Sequence, residues 1–438
     1  MKRSKLLISI VILCTFALAF AGCGGGNESA SNEEAATETA AEGEGEGEGA
    51  GTADAIKIGV ILPFSGLTAT VGADVRNGLE LAINEINEAG GVSSMGGAKF
   101  ELIFADSKGD PKTGMSEAER LILKEEVAVL MGAYHSSVTF TASEIAEKYQ
   151  CPFLTLVAVA DDITNRGFKY TFRINARSSD CTKLPPEFVT RLGETTGVKA
   201  KTVAIIYEDS EWGQTNAAQW REGLAAQNLE IVLDESYPAS TTDMVPLVTK
   251  VKNVKPDLLF SAIMVSDGIL LAQTLDQMDV NLMGWFGGGS GELDVSYVPA
   301  VGDIADGMFS PTGACDDMLD TKVGLKELNE AFIAKYGGDS ISNGAAVAYC
   351  NGYVLLDVFE RAGTTDHEAI RQAFVDTDIQ GGKAVSGMTM DRIVFGPDGH
   401  NSESFIVMVQ LSGGKWKVAY PENLVKPDFT VKWPLGEI

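Results

Sequence analysis

Residues 56–91 read IKIGVILPFSGLTATVGADVRNGLELAINEINEAGG. Ile56, Ile58, Val60 and Leu62 alternate along a strand that ends at Pro63, and after Phe64-Ser65-Gly66 the period changes. From about Gly72 to Glu88 the apolar positions Val75, Leu79, Ile83 and Ile86 are spaced by 4, 4 and 3 residues, which places them on one face of a helix. Gly90-Gly91 tolerates the left-handed backbone that stops such a helix. The stretch is therefore a strand, a short loop and a helix.

The same unit recurs down the chain. Strands are expected at Phe100–Phe104, Val127–Met131 and Phe153–Val157, with a helix over Thr113–Lys124 after the Asp110-Pro111 turn. The rhythm restarts near Lys201, with strands at Val203–Tyr207, Leu229–Leu233, Leu258–Ser261 and Leu282–Phe286. Between them lie helices at Gly213–Ala226 and Gly268–Met278, and one capped by Thr242 that carries Val245, Val248 and Val251 on one face. Alternation of this length predicts an α/β fold of two doubly wound parallel-sheet lobes, with helices on both faces of each sheet. Ligands of such sheets sit beyond the carboxyl ends of the strands. The loops at 64–71, 133–138, 157–162, 208–213, 263–267 and 286–291 all fall there.

The N-terminal residues are of another kind. Lys2, Arg3 and Lys5 precede an apolar run from Leu6 to Ala21, the pattern of an export signal over residues 1–22. Phe20-Ala21-Gly22-Cys23 resembles the bacterial lipobox, whose cysteine carries the lipid, so Cys23 is the expected attachment site. Residues 24–55 hold nine acids, no base and no aromatic residue. Such a Gly/Glu-rich stretch is expected to remain a disordered tether between the anchor and the fold.

Composition excludes several functions. With 61 Asp+Glu against 34 Lys+Arg, a formal charge of -27 and a pI near 4.5, the chain lacks the basic surface that nucleic acid requires. Three histidines and no paired CxxC argue against a metal centre. No P-loop and no GxGxxG occurs, and Gly287-Gly288-Gly289-Ser290-Gly291 misses the nucleophile elbow because Glu292 stands where the second glycine belongs. His135-Ser136 are neighbours in sequence, which does not set a base against a hydroxyl. No enzyme and no cofactor is expected. Export permits disulfides, and spacing leaves a Cys151–Cys181 pair open, with Cys315 unassigned; Cys350, in an apolar helix, reads as a buried thiol.

The strand-end loops hold the candidates for binding. Ser136 and Ser137 either cap the following helix or offer hydroxyl and N–H groups to an anion. Trp212 is either core or a wall for a ligand to stack on. Gly287 to Gly291 form either a flexible turn or a place where a ligand approaches backbone amides. Ser65 and Tyr134 lie in the same set of loops.

In this order and spacing, Ile58–Gly66, Asn77-Gly78 through Gly90-Gly91-Val92, Asp106…Asp110-Pro111, Gly132–Ser137, Ile163–Gly167 and Phe395-Gly396-Pro397-Asp398-Gly399 resemble the branched-chain amino acid binding family. These are solute-binding lipoproteins of ABC importers with the type I periplasmic binding protein fold. The resemblance spans nearly all of residues 56–435. It implies that three strands cross between the lobes, near Ile174, Phe309 and Arg392. Lobe 1 would then be 56–174 plus 310–390, lobe 2 would be 176–308 plus 392–438, and a ligand cleft would lie between them.

The resemblance also implies a site. Ser136 keeps the serine beside the ligand carboxylate. Val157, Ala158 and Val159 align with the loop that holds the ammonium, Val159 replacing a threonine. Phe286 aligns with the acid that pairs with the ammonium. Val71 aligns with one lining tyrosine and Met264 or Val265 with another, while Trp212 and Tyr349 match aromatic positions. Because the ammonium side turns apolar in this alignment, either another acid, Asp209 or Asp267, takes over that contact or the ligand lacks an α-amino group; the expected ligand is a small carboxylate or amide with an apolar or aromatic body, ahead of an ordinary branched-chain amino acid. Expected partners are that small molecule, the ABC transporter membrane subunits and, through the lipid, the membrane; the protein is expected to be a monomer. A ligand-sensing lipoprotein docked on a signalling receptor is the alternative.

Overall fold

The computed structural model describes residues 54–436. The expected export signal, Cys23 and almost all of the acidic tether lie outside those residues. The chain begins with β1 (Ile56–Leu62), α1 (Ala69–Glu88), β2 (Phe100–Asp106), α2 (Pro111–Leu123) and β3 (Val129–Gly132). It continues through α3 (Ser136–Lys148), β4 (Phe153–Thr155) and β5 (Thr171–Arg173). Then follow α4 (Ser178–Thr196), β6 (Thr202–Glu208), α5 (Glu211–Ala226), β7 (Glu230–Tyr237) and α6 (Val245–Val254). The next elements are β8 (Leu258–Ala262), α7 (Val265–Gln277), β9 (Gly284–Gly287), α8 (Tyr297–Val301) and β10 (Phe309–Thr312). Last come α9 (Leu325–Tyr336), α10 (Asn343–Ala362), α11 (His367–Val375), the short β11 (Asp378–Gln380) and β12 (Arg392–Val394), and the hairpin β13 (Val407–Ser412) and β14 (Lys415–Tyr420).

Two sheets organise these elements. The first has the order β2-β1-β3-β4-β5 and is parallel throughout. β1 is buried along nearly its whole length, as a strand covered on both faces must be. The second has the order β14-β13-β10-β9-β8-β6-β7. It is parallel from β7 to β10, but β13 and β14 are antiparallel, so the second sheet is mixed rather than wholly parallel. A tight turn at Gly413-Gly414 joins β13 to β14, and a turn that short allows only an antiparallel return.

The helices follow their sequence signals, with shifts at the ends. Val71, Val75, Leu79, Ile83 and Ile86 form the buried stripe of α1. That stripe packs in one core with α10, and the two helices run very close: a Cβ at Gly78 would stand 2.1 Å from the Ala345 carbonyl oxygen. Asp110 caps α2 by accepting from the Thr113 N–H, with Pro111 in the first turn. Thr242 does not cap α6. That helix starts at Val245 with Met244 at the cap position, because Pro246 in the first turn fixes where the helical backbone begins.

The chain passes between the sheets three times. After β5 it leaves the first sheet for α4 and β6. After β10 it returns, and α10 and α11 complete the core over β1, with Val354, Phe359 and Phe374 packed among Ile56, Ile58 and Val60. After β12 it crosses again to supply β13 and β14. At the hinge, Arg173 pairs with His400: the Arg173 N–H donates to Gly399 O at 2.9 Å, and the Asn401 N–H donates to Arg173 O at 2.9 Å. The fully buried Arg173 guanidinium donates to Ala160 O, Thr164 Oγ1 and His400 Nδ1. Cys151, Cys181, Cys315 and Cys350 are free thiols, so the Cys151–Cys181 pairing does not form; Cys350 is buried. Among the described residues no helix is long and apolar enough to cross a membrane.

Candidate functional site

Between the lobes lies a cavity of about 640 Å³ whose walls are strand-end loops. One wall is built by the β1–α1 loop (Gly66, Leu67, Thr68), the β2–α2 loop (Lys108, Gly109) and the start of α3 (His135, Ser136, Ser137). The facing wall comes from the β6–α5 loop (Glu208 to Trp212), Ala239 and Ser240 after β7, and Met264, Ser266 and Asp267 at the start of α7. Every one of these follows the carboxyl end of a strand in a parallel segment, where the backbone leaves the sheet and side chains converge.

The first wall favours negative charge. No side chain caps α3 among the described residues, so its first-turn N–H groups are open toward the cavity end. Ser136 is buried, and its hydroxyl accepts from the Ala160 N–H at 3.3 Å, which ties the β4 loop to the helix start. His135 holds Thr68 Oγ1 at 3.4 Å through Nε2, while Nδ1 has no partner among the described residues. Burial lowers its pKa to about 4, so the imidazole is neutral near pH 7.

The second wall is acidic. Glu208 closes β6, is 6% exposed, and its Oε2 has no partner among the described residues. Burial, reinforced by Asp267, raises its pKa to about 7. Glu211 is likewise raised to about 7 by burial and leaves its Oε2 unpartnered. Asp267 accepts from the Tyr237 hydroxyl and the Met264 N–H, and burial pushes its carboxyl up as well. Lys108 is the one base among the described lining residues. A buried carboxylate without a partner is costly, and a cation from outside relieves that cost.

The lobes touch beside this cavity. The Tyr134 hydroxyl lies 3.0 Å from Ser290 Oγ and 3.7 Å from Met264 Sδ, joining the β3–α3 loop to two loops of the other lobe. Trp212, 4% exposed, packs in the second core and also forms part of the cavity wall. The first residue of the glycine run has a packing role. A Cβ at Gly287 would stand 2.1 Å from Glu292 Oε1. The buried Glu292 accepts there from the Gly289 N–H and the Ser310 hydroxyl, each at 2.7 Å. Gly287 therefore makes room for an internal carboxylate.

Several expected contacts are corrected. Phe286 is fully buried and stacked between Phe260 and Phe309, with ring centroids 4.9 Å away on either side. It is core, because β9 runs on to Gly287 and the cavity begins only past the strand end. Tyr349 is 3% exposed, and its hydroxyl donates to Glu85 on the α1–α10 seam, away from the cavity. Val71 packs in the first core. Ser65 braces the β1–α1 loop by donating to Asp106 at 2.7 Å. In the loop after β4, Val157 O accepts from Asn175 Nδ2 and Val159 O from the Ser178 N–H, and neither residue lines the cavity. Ala158 is buried beside them. Ser136, Ser137, Trp212 and Met264 do line the cavity, with Tyr134 at its edge. Glu208 and Glu211 are the acids the sequence reading passed over; the signal was a glutamate closing the otherwise apolar strand TVAIIYE.

The sequence profile of the periplasmic binding protein family matches residues 55–415. This chain belongs to that family. It is 30% identical over 375 residues to a Leu/Ile/Val-binding protein homolog of Brucella melitensis, covering 84% of this chain and 91% of that protein. Among solved structures it is similar to the branched-chain amino acid transporter substrate binding protein LivJ of Streptococcus pneumoniae in complex with isoleucine, with a TM-score of 0.72 at 24% identity, covering 84% of this chain and all of that one. It is also similar to a solute binding protein of an ABC transporter from Rhodopseudomonas palustris in complex with 3,4-dihydroxy benzoic acid, with a TM-score of 0.71 at 20% identity, covering 83% and 95% of the two chains. Both likenesses are of fold. As a periplasmic binding protein, the chain carries its cavity at the interlobe cleft.

Proposed function

We propose that this periplasmic binding protein captures an α-amino acid, or a close relative with both carboxylate and ammonium groups, and delivers it to the membrane subunits of an ABC importer. The observation that carries the reading is the opposed polarity of the two cavity walls: open helix N–H groups with Ser136 and Ser137 on one, Glu208 on the other. A zwitterion answers both. The expectation of a ligand without an amine rests on Val159 in place of a threonine and Phe286 in place of an acid, and of these Phe286 belongs to the core. The printed names of the Brucella relative and of the isoleucine complex support the same class. The reading is of a monomeric binder that closes its lobes on ligand, not of a catalyst.

The lobe boundaries we infer are those expected with two shifts: the return to lobe 1 moves to residue 313, since β10 pairs within the second sheet, and the last crossing moves past Phe395, since β12 pairs with β11 and Ile393 and Phe395 pack in the first core. Export, lipid attachment at Cys23 and an acidic tether complete the proposal. The lipid is tested by fatty-acid labelling of the cell-expressed protein, which Cys23→Ser should abolish. Calorimetric titration with leucine, isoleucine, valine and benzoate tests the ligand. The reading expects an amino acid to bind, and Glu208→Gln to weaken it at least tenfold. Binding of benzoate alone, indifferent to Glu208→Gln, overturns it.

A further inference from the structure

A second cavity, of about 480 Å³, shares no residue with the first. Its floor on the first lobe is Asp74 of α1, the end of α9 at Phe332 and Tyr336, and Asn343 opening α10. The second lobe supplies Leu293 and Asp294, Val298 of α8, and Trp416 of the β13–β14 hairpin.

Four features of the wall point to one kind of occupant. Asp74, Asp294, Asp316 and Asp339 stand against a single lysine, Lys415, among the described lining residues. Tyr336 Oη and Asn343 Oδ1 are buried with no partner among those residues, and each has a lone pair to offer a donor. Asp74 accepts from the Ser342 hydroxyl, yet burial, aided by Asp294, still pushes its carboxyl up. Beside Asn77, Ser340 and Ser342, the rest of the wall includes apolar and aromatic side chains, among them Phe332 and Tyr336, with ring centroids 5.1 Å apart, and Trp416. A metal ion is the wrong occupant: among the described residues no three acidic, histidine or cysteine groups come together as ligands do.

We propose that this cavity is a second binding site, for a small organic amine with an apolar or aromatic body. The ammonium meets Asp74 and the acceptors Tyr336 Oη and Asn343 Oδ1, and the body lies against the aromatic rings. Because both lobes contribute to the wall, occupancy favours the lobe arrangement seen here. The inference stands apart from what fills the first cavity.

Phenethylamine, with the uncharged 2-phenylethanol as comparator, is titrated into the full-length chain in detergent by calorimetry. The amine is expected to bind at least tenfold more tightly than the alcohol. Asp74→Asn should weaken the amine at least tenfold, and Asp339→Asn, at an exposed position that tolerates change, at least twofold, while Glu208→Gln changes it less than twofold. Circular dichroism confirms that each variant is folded, and the comparison of amine with alcohol needs no variant. Equal binding of the two compounds, no binding of the amine, or loss of amine binding in Glu208→Gln rather than Asp74→Asn overturns the proposal. Leucine titrated separately reports on the first cavity, so failure of either reading is seen on its own.

Discussion

Glu208→Gln should make the ligand-free protein more stable, a gain that bound amino acid largely cancels. In the folded chain the Glu208 carboxyl is raised from its ordinary 4.5 to about 7, with burial as the main cause. Below pH 4.5 it is protonated in folded and unfolded chains alike, so it adds nothing to the pH dependence. As pH rises from 4.5 to 7 the unfolded chain ionises first, and the folded state loses ground by ~1.4 kcal/mol per unit, reaching about 3 kcal/mol above pH 7. Glutamine cannot ionise and escapes this penalty. With an unfolding entropy of ~2.1 cal/mol/K per residue over roughly 380 residues, 3 kcal/mol corresponds to a Tm higher by about 4 °C at pH 8. An ammonium ligand supplies the missing partner, and a charge-assisted hydrogen bond of ~1.5–3 kcal/mol is lost in the variant, a weakening of about 10- to 150-fold. The assay is thermal unfolding of both proteins at pH 4, 6 and 8, with and without amino acid. A variant that is less stable than the wild type at pH 8 without ligand, or whose advantage persists at pH 4, refutes the argument that Glu208 is a strained buried carboxylate.

Other outcomes follow from the same geometry. Amino acid affinity should fall as pH drops from 8 to 6, because binding requires the Glu208 carboxylate and each unit below about 7 costs up to roughly tenfold; His135, neutral above about 4, should leave no step of its own in this range. Tyr134→Phe removes the interlobe contact to Ser290, worth ~1 kcal/mol, and should shift the open-to-closed ratio about fivefold toward open in a two-dye distance measurement. Phe286→Glu should fail to fold, since it buries an unpaired charge between Phe260 and Phe309; a folded variant with altered ligand binding would return Phe286 to the site. Ser136→Ala frees the Ala160 N–H and should weaken carboxylate ligands several-fold while lowering stability by about 1 kcal/mol, both read by titration and unfolding.

Much of this architecture was legible because it rests on local periodicity. The stripe from Val75 to Ile86 and the buried run of β1 are visible in the letters, and α1 and β1 form where those letters place them. Pairing across long separations was not. That β10 lies between β9 and β13, nearly a hundred residues further on, depends on packing between distant segments, and only resemblance to a known family suggested the crossings. The cavity loops were legible as loops, since strand ends mark them. Which side chain in a loop reaches the cavity was not: one residue decides whether Phe286 faces core or cleft, and Tyr349 turns toward Glu85 through the rotation of α10 against α1. Glu208 escaped notice because acids are everywhere in this sequence, and only burial separates it from the solvated ones.

The triple passage between sheets has a consequence for biosynthesis. Neither lobe can be finished by a contiguous stretch of chain: the first core waits for Val354 and Phe374, and the second sheet waits for β13 and β14. A nascent chain that has emerged only as far as residue 308 has β9 with an unpaired edge and β1 without its covering α10. Contacts of such long sequence separation form slowly. Nearly the whole polypeptide must therefore stay loosely structured until its last hundred residues appear, which suits a translocation route that threads unfolded chains. It also means that a gene split near residue 308 yields two aggregation-prone fragments rather than two working halves.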